Sequence, residues 1–278
     1  MIHLPTFTAT RYVQPLREGG TLPAVVETHG GGLFVAKFRG AGQGAKALLA
    51  ELIVGMMAGA LRLPVPGLAL IELLPDFGQT EPDPEIQDLL KASTGINMGL
   101  RYLDGAFNFQ PASAGDLVTP ELAAEIVWLD AFTTNPDRTA RNPNLLIQER
   151  RPWLIDHCAA LYAQHNWPAV DEPRTRTPFP LIQDHVLLAG SGDLRAADAH
   201  AAARLTDDVL AEIVRCLPDA LLADRALAAD FATPDAARAR YLEYLRTRIR
   251  APRAFVAEAE EARAKLRREP RPRLHSRR

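Results

Sequence analysis

The sequence predicts an α+β fold in two lobes, β-rich over the first third and mostly α-helical over the rest. Three observations predict it. Short β-branched runs punctuated by glycine turns occupy residues 22–39, and further strand candidates follow to residue 103. Ala- and Leu-rich segments behind N-cap residues dominate the chain after Asp171. Strands and helices do not alternate, which argues against a parallel βα sheet.

Ala24-Val-Val-Glu-Thr28 and Leu33-Phe-Val-Ala-Lys-Phe38 read as strands joined by the turn His29-Gly-Gly-Gly32. A second glycine cluster, Gly40 to Gly44, opens a helix from about residue 45 to 61, which Pro64 and Pro66 close. Leu68–Leu74 follows as a strand, and Asn97–Leu103 as a weaker one after a polar, loop-like stretch. Thr119-Pro120 places an N-cap and a first-turn proline ahead of a helix running to about Thr133. A polar loop and two short apolar runs come next. Helices are then expected over 180–189, 193–204, 206–216, 219–229 and 234–266. The predicted division is an N-lobe at 1–104, a C-lobe at 105–266, and a basic, disordered tail at 267–278 whose arginines read as a solvated terminus with at most weak attraction for nucleic acid.

Composition narrows the function classes. With 278 residues, 47% hydrophobic, the chain can bury a substantial core. A net charge of -2 supplies no field for nucleic acid or membrane. Two cysteines, Cys158 and Cys216, make a disulfide framework or zinc site unexpected and a cytoplasmic setting the default. The first residues lack a signal-peptide pattern, and the apolar run 52–61 is too short to span a bilayer. Heavy use of Ala, Arg and Leu matches the bias of GC-rich bacterial genomes.

Five residues point to phosphate chemistry. From Ala47 to Leu61 the sole charged residue is Glu51, among small and apolar neighbours. A carboxylate there wants a cationic partner, because unpaired burial costs several kcal/mol. Lys37, on the preceding strand, is the natural candidate; the alternative is a Glu on an exposed helix edge. A strand Lys paired to a helix Glu is the device with which protein kinases grip the α- and β-phosphates of ATP. The flanking glycine turns could offer N–H groups to phosphate, although Gly40–Ala47 fits neither G-x-G-x-x-G nor the Walker A pattern. Downstream, Asn135-Pro-Asp137-Arg138 reads alone as a simple turn. With Asn142 five residues after Asp137, and Asp156 at the end of Trp153-Leu-Ile155, it matches the order of a hydroxyl-orienting Asp and two metal ligands.

Here the chain resembles the HipA-like kinase family, in its compact members without the extra N-terminal domain. Phe34-Val-Ala-Lys37-Phe, Ala50-Glu51-Leu-Ile, Leu63-Pro-Val-Pro66, Asn135-Pro-Asp137-Arg-Thr-Ala-Arg-Asn142-Pro-Asn-Leu-Leu, Leu154-Ile-Asp156-His and Phe179–Leu188 carry the resemblance, over roughly residues 20–225. It implies a bilobal protein-kinase-like fold, distantly similar to phosphatidylinositol kinases. It implies an ATP- and Mg2+-dependent phosphotransferase in which Lys37, with Glu51, holds the phosphates, Asp137 is the catalytic base, and Asn142 and Asp156 bind the metal. The adenine edge is expected near Tyr102–Gly105, and the acceptor is expected to be a hydroxyl, foremost a protein Ser or Thr.

The departures matter. His157 and Cys158 replace the Phe and Gly that many kinases carry after the metal-binding Asp, which argues against a DFG-type switch. Arg138 follows Asp137, out of HRD order, and is expected to meet the transferred phosphate or a loop carboxylate. Asp76-Phe-Gly78 precedes the catalytic loop and is read as coincidence. No regulatory serine loop is recognisable, so toxin-type regulation is not carried over. The alternatives are a catalytically impaired nucleotide-binding pseudokinase or scaffold, and a small-molecule kinase. Cys158, Trp153 and Trp167 read as structural.

Overall fold

The computed structural model describes residues 2–16, 22–42, 44–79 and 81–268. Five strands close a barrel in the order β1-β2-β3-β5-β4: β1 (Thr6–Pro15), β2 (Ala24–Thr28), β3 (Gly32–Lys37), β4 (Leu68–Leu73) and β5 (Gly95–Arg101). All ladders are antiparallel except the closing one, where β1 runs parallel to β4 with Phe7 opposite Ile71. Ala9, Ala24, Val26, Phe34, Ala36, Ala69 and Ile71 belong to the core cluster that these strands share. Sequence reading missed β1, and its composition shows why. Only Ala9 of its ten residues is buried, so no apolar alternation marks it.

Helix α1 (Gly44–Ala60) packs against β4 and β5 and against the later helices at Asp207–Arg215, Asp219–Leu222 and Arg225–Ala228. Every residue from Ala45 to Ala58 is buried, which accounts for a helix that is apolar all round. Gly55 permits this packing, since a Cβ there would stand 2.7 Å from Leu68 Cδ2. The helix ends in a Schellman motif: Leu63 N–H donates to Ala58 O and Arg62 N–H to Gly59 O, with Arg62 at φ 63. A second missed element, α2 (Pro84–Ala92), is started by the Asp83 cap and lays Ile86, Leu89 and Leu90 on the barrel core.

Past the barrel, β6 (Phe107–Asn108), β7 (Leu145–Gln148) and β8 (Arg151–Leu154) form a small antiparallel sheet. A short α3 (Pro111–Ala114) precedes α4 (Pro120–Thr133), capped as expected by Thr119. Trp128 of α4 stacks on Phe132 at 5.1 Å and meets Phe255 edge-on at 5.7 Å. The last carbonyls of α4, Ala131 O and Phe132 O, accept from the buried Arg248 guanidinium at 2.9 and 2.6 Å. That contact satisfies groups a helix end leaves orphaned and anchors the start of the loop that follows.

The remaining helices are α5 (Glu172–Thr175), α6 (Leu194–Arg204), α7 (Asp207–Arg215), α8 (Asp219–Leu222), α9 (Arg225–Ala228), α10 (Pro234–Ile249) and α11 (Ala254–Arg268). Three sequence expectations change. The segment 180–189 is a 3-10 turn, Pro180–Asp184, followed by turns. The helix expected over 219–229 is two, because Asp224 caps a new start. The helix expected over 234–266 breaks before α11, at a segment containing Pro252, which cannot donate to a helical ladder. Arg267 and Arg268 still belong to α11, and residues 269–278 of the expected tail lie outside the described residues. Among the described residues no helix is long and apolar enough to cross a membrane.

Candidate active site

Lys37 ends β3, Glu51 sits mid-way along α1, and Asp156 follows β8. Folding brings all three together. Lys37 Nζ lies 2.8 Å from Glu51 Oε2 and 2.8 Å from Asp156 Oδ1. Glu51 Oε2 also accepts the His157 backbone N–H at 2.6 Å, while Glu51 Oε1 is buried without a partner among the described residues. Burial works against the charged amine, but Glu51 and then Asp156 more than offset it and hold Lys37 as an ammonium. Burial would likewise raise Asp156; Lys37, with the Cys158 thiol, holds it down at about 2. Asp156 is therefore a carboxylate at neutral pH, 28% exposed at its side chain.

Two of these residues, Lys37 and Asp156, line a cleft of about 530 Å³, and Glu51 is buried behind them. Lys37 and Asp156 share its lining with the apolar side chains of Val35, Leu100, Leu146 and Ile155. Tyr102 and Leu103, from the segment expected to meet an adenine, line it as well. Leu16 and Pro23, at the two ends of the β1–β2 connection, close another wall, and Leu16 N–H donates to Pro23 O at 2.7 Å. Residues 17–21 between them, Gly19 and Gly20 included, lie outside the described residues. Among the described residues, neither glycine turn singled out in the sequence contributes to the lining of this cleft. The 29–32 turn is at the far end of the β2–β3 hairpin from Lys37, about 17 Å along five residues of strand. Gly40 packs against Ala92 and Ser93 at the end of α2. Lys46 pairs with Asp230 at 3.2 Å.

Asp137 and Asn142 lie in the loop between α4 and β7 and form a second group. Asp137 Oδ2 accepts from Asn142 Nδ2 at 2.8 Å and from Asn144 Nδ2 at 2.9 Å. Asn135 Oδ1 accepts the Asp137 N–H at 3.1 Å. The two groups meet through the backbone, where Ile155 N–H donates to Asn144 O at 3.1 Å. Asn144, at φ 49, turns the chain from the loop into β7, and Asp156, at φ 56, turns it out of β8.

Arg138 behaves unlike the sequence expectation. It is buried and faces neither an exposed phosphate position nor a loop carboxylate. Its Nε donates at 2.6 Å to Asp130, a buried residue of α4. Asp130 and His185 are site neighbours that sequence reading missed. The signal for Asp130 was the one that exposed Glu51, a carboxylate in an otherwise apolar helix stretch. Asn144, also missed, gives no sign in the sequence of what sets it apart from an ordinary turn residue: its bond to Asp137 and its carbonyl's bonds to Ile155 N–H and Arg138.

Cys158 is buried, and its Sγ lies 2.8 Å from Asp156 Oδ1. Burial pushes the thiol up, with Asp156 and Glu51 adding to the effect against Lys37. The cluster Glu51, Asp156 and Cys158, whose ligand atoms lie within 4.8 Å of one another, thus presents carboxylate oxygens rather than a thiolate. Trp167 is core, in contact with Tyr241 at 5.1 Å, and Trp153 is half-buried under Arg151. Asp76-Phe-Gly78 lines a different hollow, with residues 8–12 of β1.

A family model described as HipA-like kinase matches residues 10–171, more than half of the chain. No curated protein gives a significant match. Among solved structures, a Helicobacter pylori proinflammatory kinase, CtkA, is similar at 11% identity and a TM-score of 0.46, covering 94% of this chain and 98% of that one.

Proposed function

The chain belongs to the HipA-like kinase family and is a kinase, and from that premise we propose that it is an ATP- and Mg2+-dependent phosphotransferase acting on a hydroxyl acceptor. One observation carries the reading: the Lys37 ammonium, held between Glu51 and Asp156, lines a largely apolar cleft of nucleotide size. On this reading residues 1–104 form an N-lobe and 105–266 a C-lobe, with the nucleotide between them. Pairing of β6 with β7 rather than with the barrel supports that boundary.

Val35, Leu100, Leu146 and Ile155 would enclose the adenine, with backbone near Tyr102 and Leu103 at its edge. Lys37 would bind the α- and β-phosphates, and Glu51 would hold its ammonium in place. Asn142 and Asp156 fit Mg2+, because an amide oxygen and an ionised carboxylate are the hard donors that ion takes. Once bound, the metal supplies neutralisation of phosphate charge. Asp137 would accept the proton of the acceptor hydroxyl as its oxygen bonds the γ-phosphorus and the bond to the β–γ bridging oxygen breaks, releasing ADP. The amide donors of Asn142 and Asn144, both on Oδ2, orient that carboxylate. A protein Ser or Thr is the acceptor we propose.

Asp137→Asn tests this. Turnover with Mg-ATP should fall on the order of 10²- to 10⁴-fold, the usual contribution of a general base, while nucleotide binding persists. Undiminished phosphate transfer by the purified variant would sink the assignment. Phosphoproteomics with wild type against this variant should identify the acceptor.

A further inference from the structure

Resting on the phosphotransfer reading, we propose that Arg138 is a positioning residue that sets the spacing between the two segments carrying the metal-holding side chains, with Asp130 as its buried anchor. Asp130 is held by donors from three places. Its Oδ1 accepts from Asn135 Nδ2 at 2.9 Å, and its Oδ2 from Arg138 Nε at 2.6 Å and His185 Nε2 at 2.9 Å. His185 Nδ1 accepts the Leu187 N–H at 3.1 Å, which places the ring proton on Nε2, toward Asp130. The anchor is thus fixed before Arg138 reaches beyond it.

A guanidinium is planar, so fixing Nε fixes the directions of both terminal nitrogens. Nη1 donates to the carbonyls of Asn144, of Pro143 at 3.4 Å and of Ile155 at 3.5 Å. Nη2 meets His157 Nδ1 at 3.2 Å. Pro143 and Asn144 directly follow Asn142, while Ile155 and His157 flank Asp156. One rigid group therefore grips the chain just after one metal-holding residue and on both sides of the other. Asn144 and Asp156 are also the residues with left-handed backbones there, a conformation non-glycine residues keep only where surrounding contacts impose it. A purely stabilising core ion pair would need none of the contacts around Asp156.

The test is calorimetric titration of the full chain with a non-hydrolysable ATP analogue, with and without Mg2+. Wild type is compared with Arg138→Lys, which keeps the charge facing Asp130 but loses the fork, and with His157→Phe, which removes only the Nη2 acceptor. Metal-free affinity should stay within about twofold in both. The gain in affinity that Mg2+ confers should fall about tenfold or more in Arg138→Lys, in line with residues that orient metal ligands, and by less in His157→Phe. A folded Arg138→Lys chain that keeps the full Mg2+ gain, or loses metal-free and metal-bound affinity by the same factor, overturns the proposal. If Arg138→Lys does not fold, His157→Phe decides, and an undiminished gain overturns it. A wild-type chain whose nucleotide affinity ignores Mg2+ removes the phosphotransfer reading itself, and the wild-type titration alone shows that.

Discussion

Replacing Glu51 with alanine should cost about 4 kcal/mol of folding free energy. Glu51 is 0% exposed and its Oε2 holds two donors, the Lys37 ammonium at 2.8 Å and the His157 N–H at 2.6 Å. Breaking a buried pair costs about 3–5 kcal/mol because the surviving charge is left uncompensated. Asp156 still faces Lys37, which puts this part near the low end. The orphaned His157 N–H adds about 1–3 kcal/mol. For a chain of this size the sum corresponds to a fall in melting temperature of about 10 °C. Glu51→Gln keeps an acceptor for His157 and loses only the charge, so about three-quarters of the effect is expected. Thermal and urea unfolding followed by circular dichroism measure both. A loss below about 1 kcal/mol in Glu51→Ala would refute the reasoning, because it would mean that the Lys37–Glu51 pair is not closed in solution.

Two further predictions concern acid and packing. Burial, joined by Arg138 and Lys37 against Glu51 and Asp130, holds His157 at about 4, below its ordinary 6.5. The unfolded chain binds this proton near pH 6.5 and the folded chain resists it, so stability is full above that pH and falls as pH drops toward 4. The loss approaches about 3 kcal/mol. His185, lowered chiefly by burial, acts in the same direction. In His157→Phe the slope of stability against pH over this window should flatten; an unchanged slope would remove His157 from the acid response. Gly99→Ala should cost about 1–3 kcal/mol by overpacking, since its Cβ would stand 2.6 Å from Ile71 Cγ1 on the neighbouring strand β4. A melt indistinguishable from wild type would contradict the close approach of β5 to β4.

Several residues of the candidate site could be picked out before folding. Glu51 announced itself as the lone carboxylate in an apolar helix, and burying such a group demands a counter-charge. Asp137, Asn142 and Asp156 were readable from their spacing around two short apolar runs. The β2–β3 hairpin and the Thr119 cap were readable because each is a local pattern. β1 was not legible, because its evidence is a row of backbone bonds to β2 and β4 rather than a run of buried side chains. Arg138 was misplaced for a related reason. Its partner Asp130 is eight residues upstream on a helix, and its other contacts reach Ile155 and His157 on a separate strand end.

Charge in an apolar surrounding and turn residues at set spacing are local properties of the chain, so they were enough to single out the residues proposed to handle phosphate. It took the folded chain to set Lys37 between Glu51 and Asp156, to wall the cleft with the ends of the β1–β2 connection, and to tie the Asn142 segment to both sides of Asp156 through Arg138. Apart from the Arg138–Asn144 contact, the side-chain contacts among these join residues 14 to 119 positions apart. They exist only once burial of α1 between the barrel and the later helices has brought those segments together.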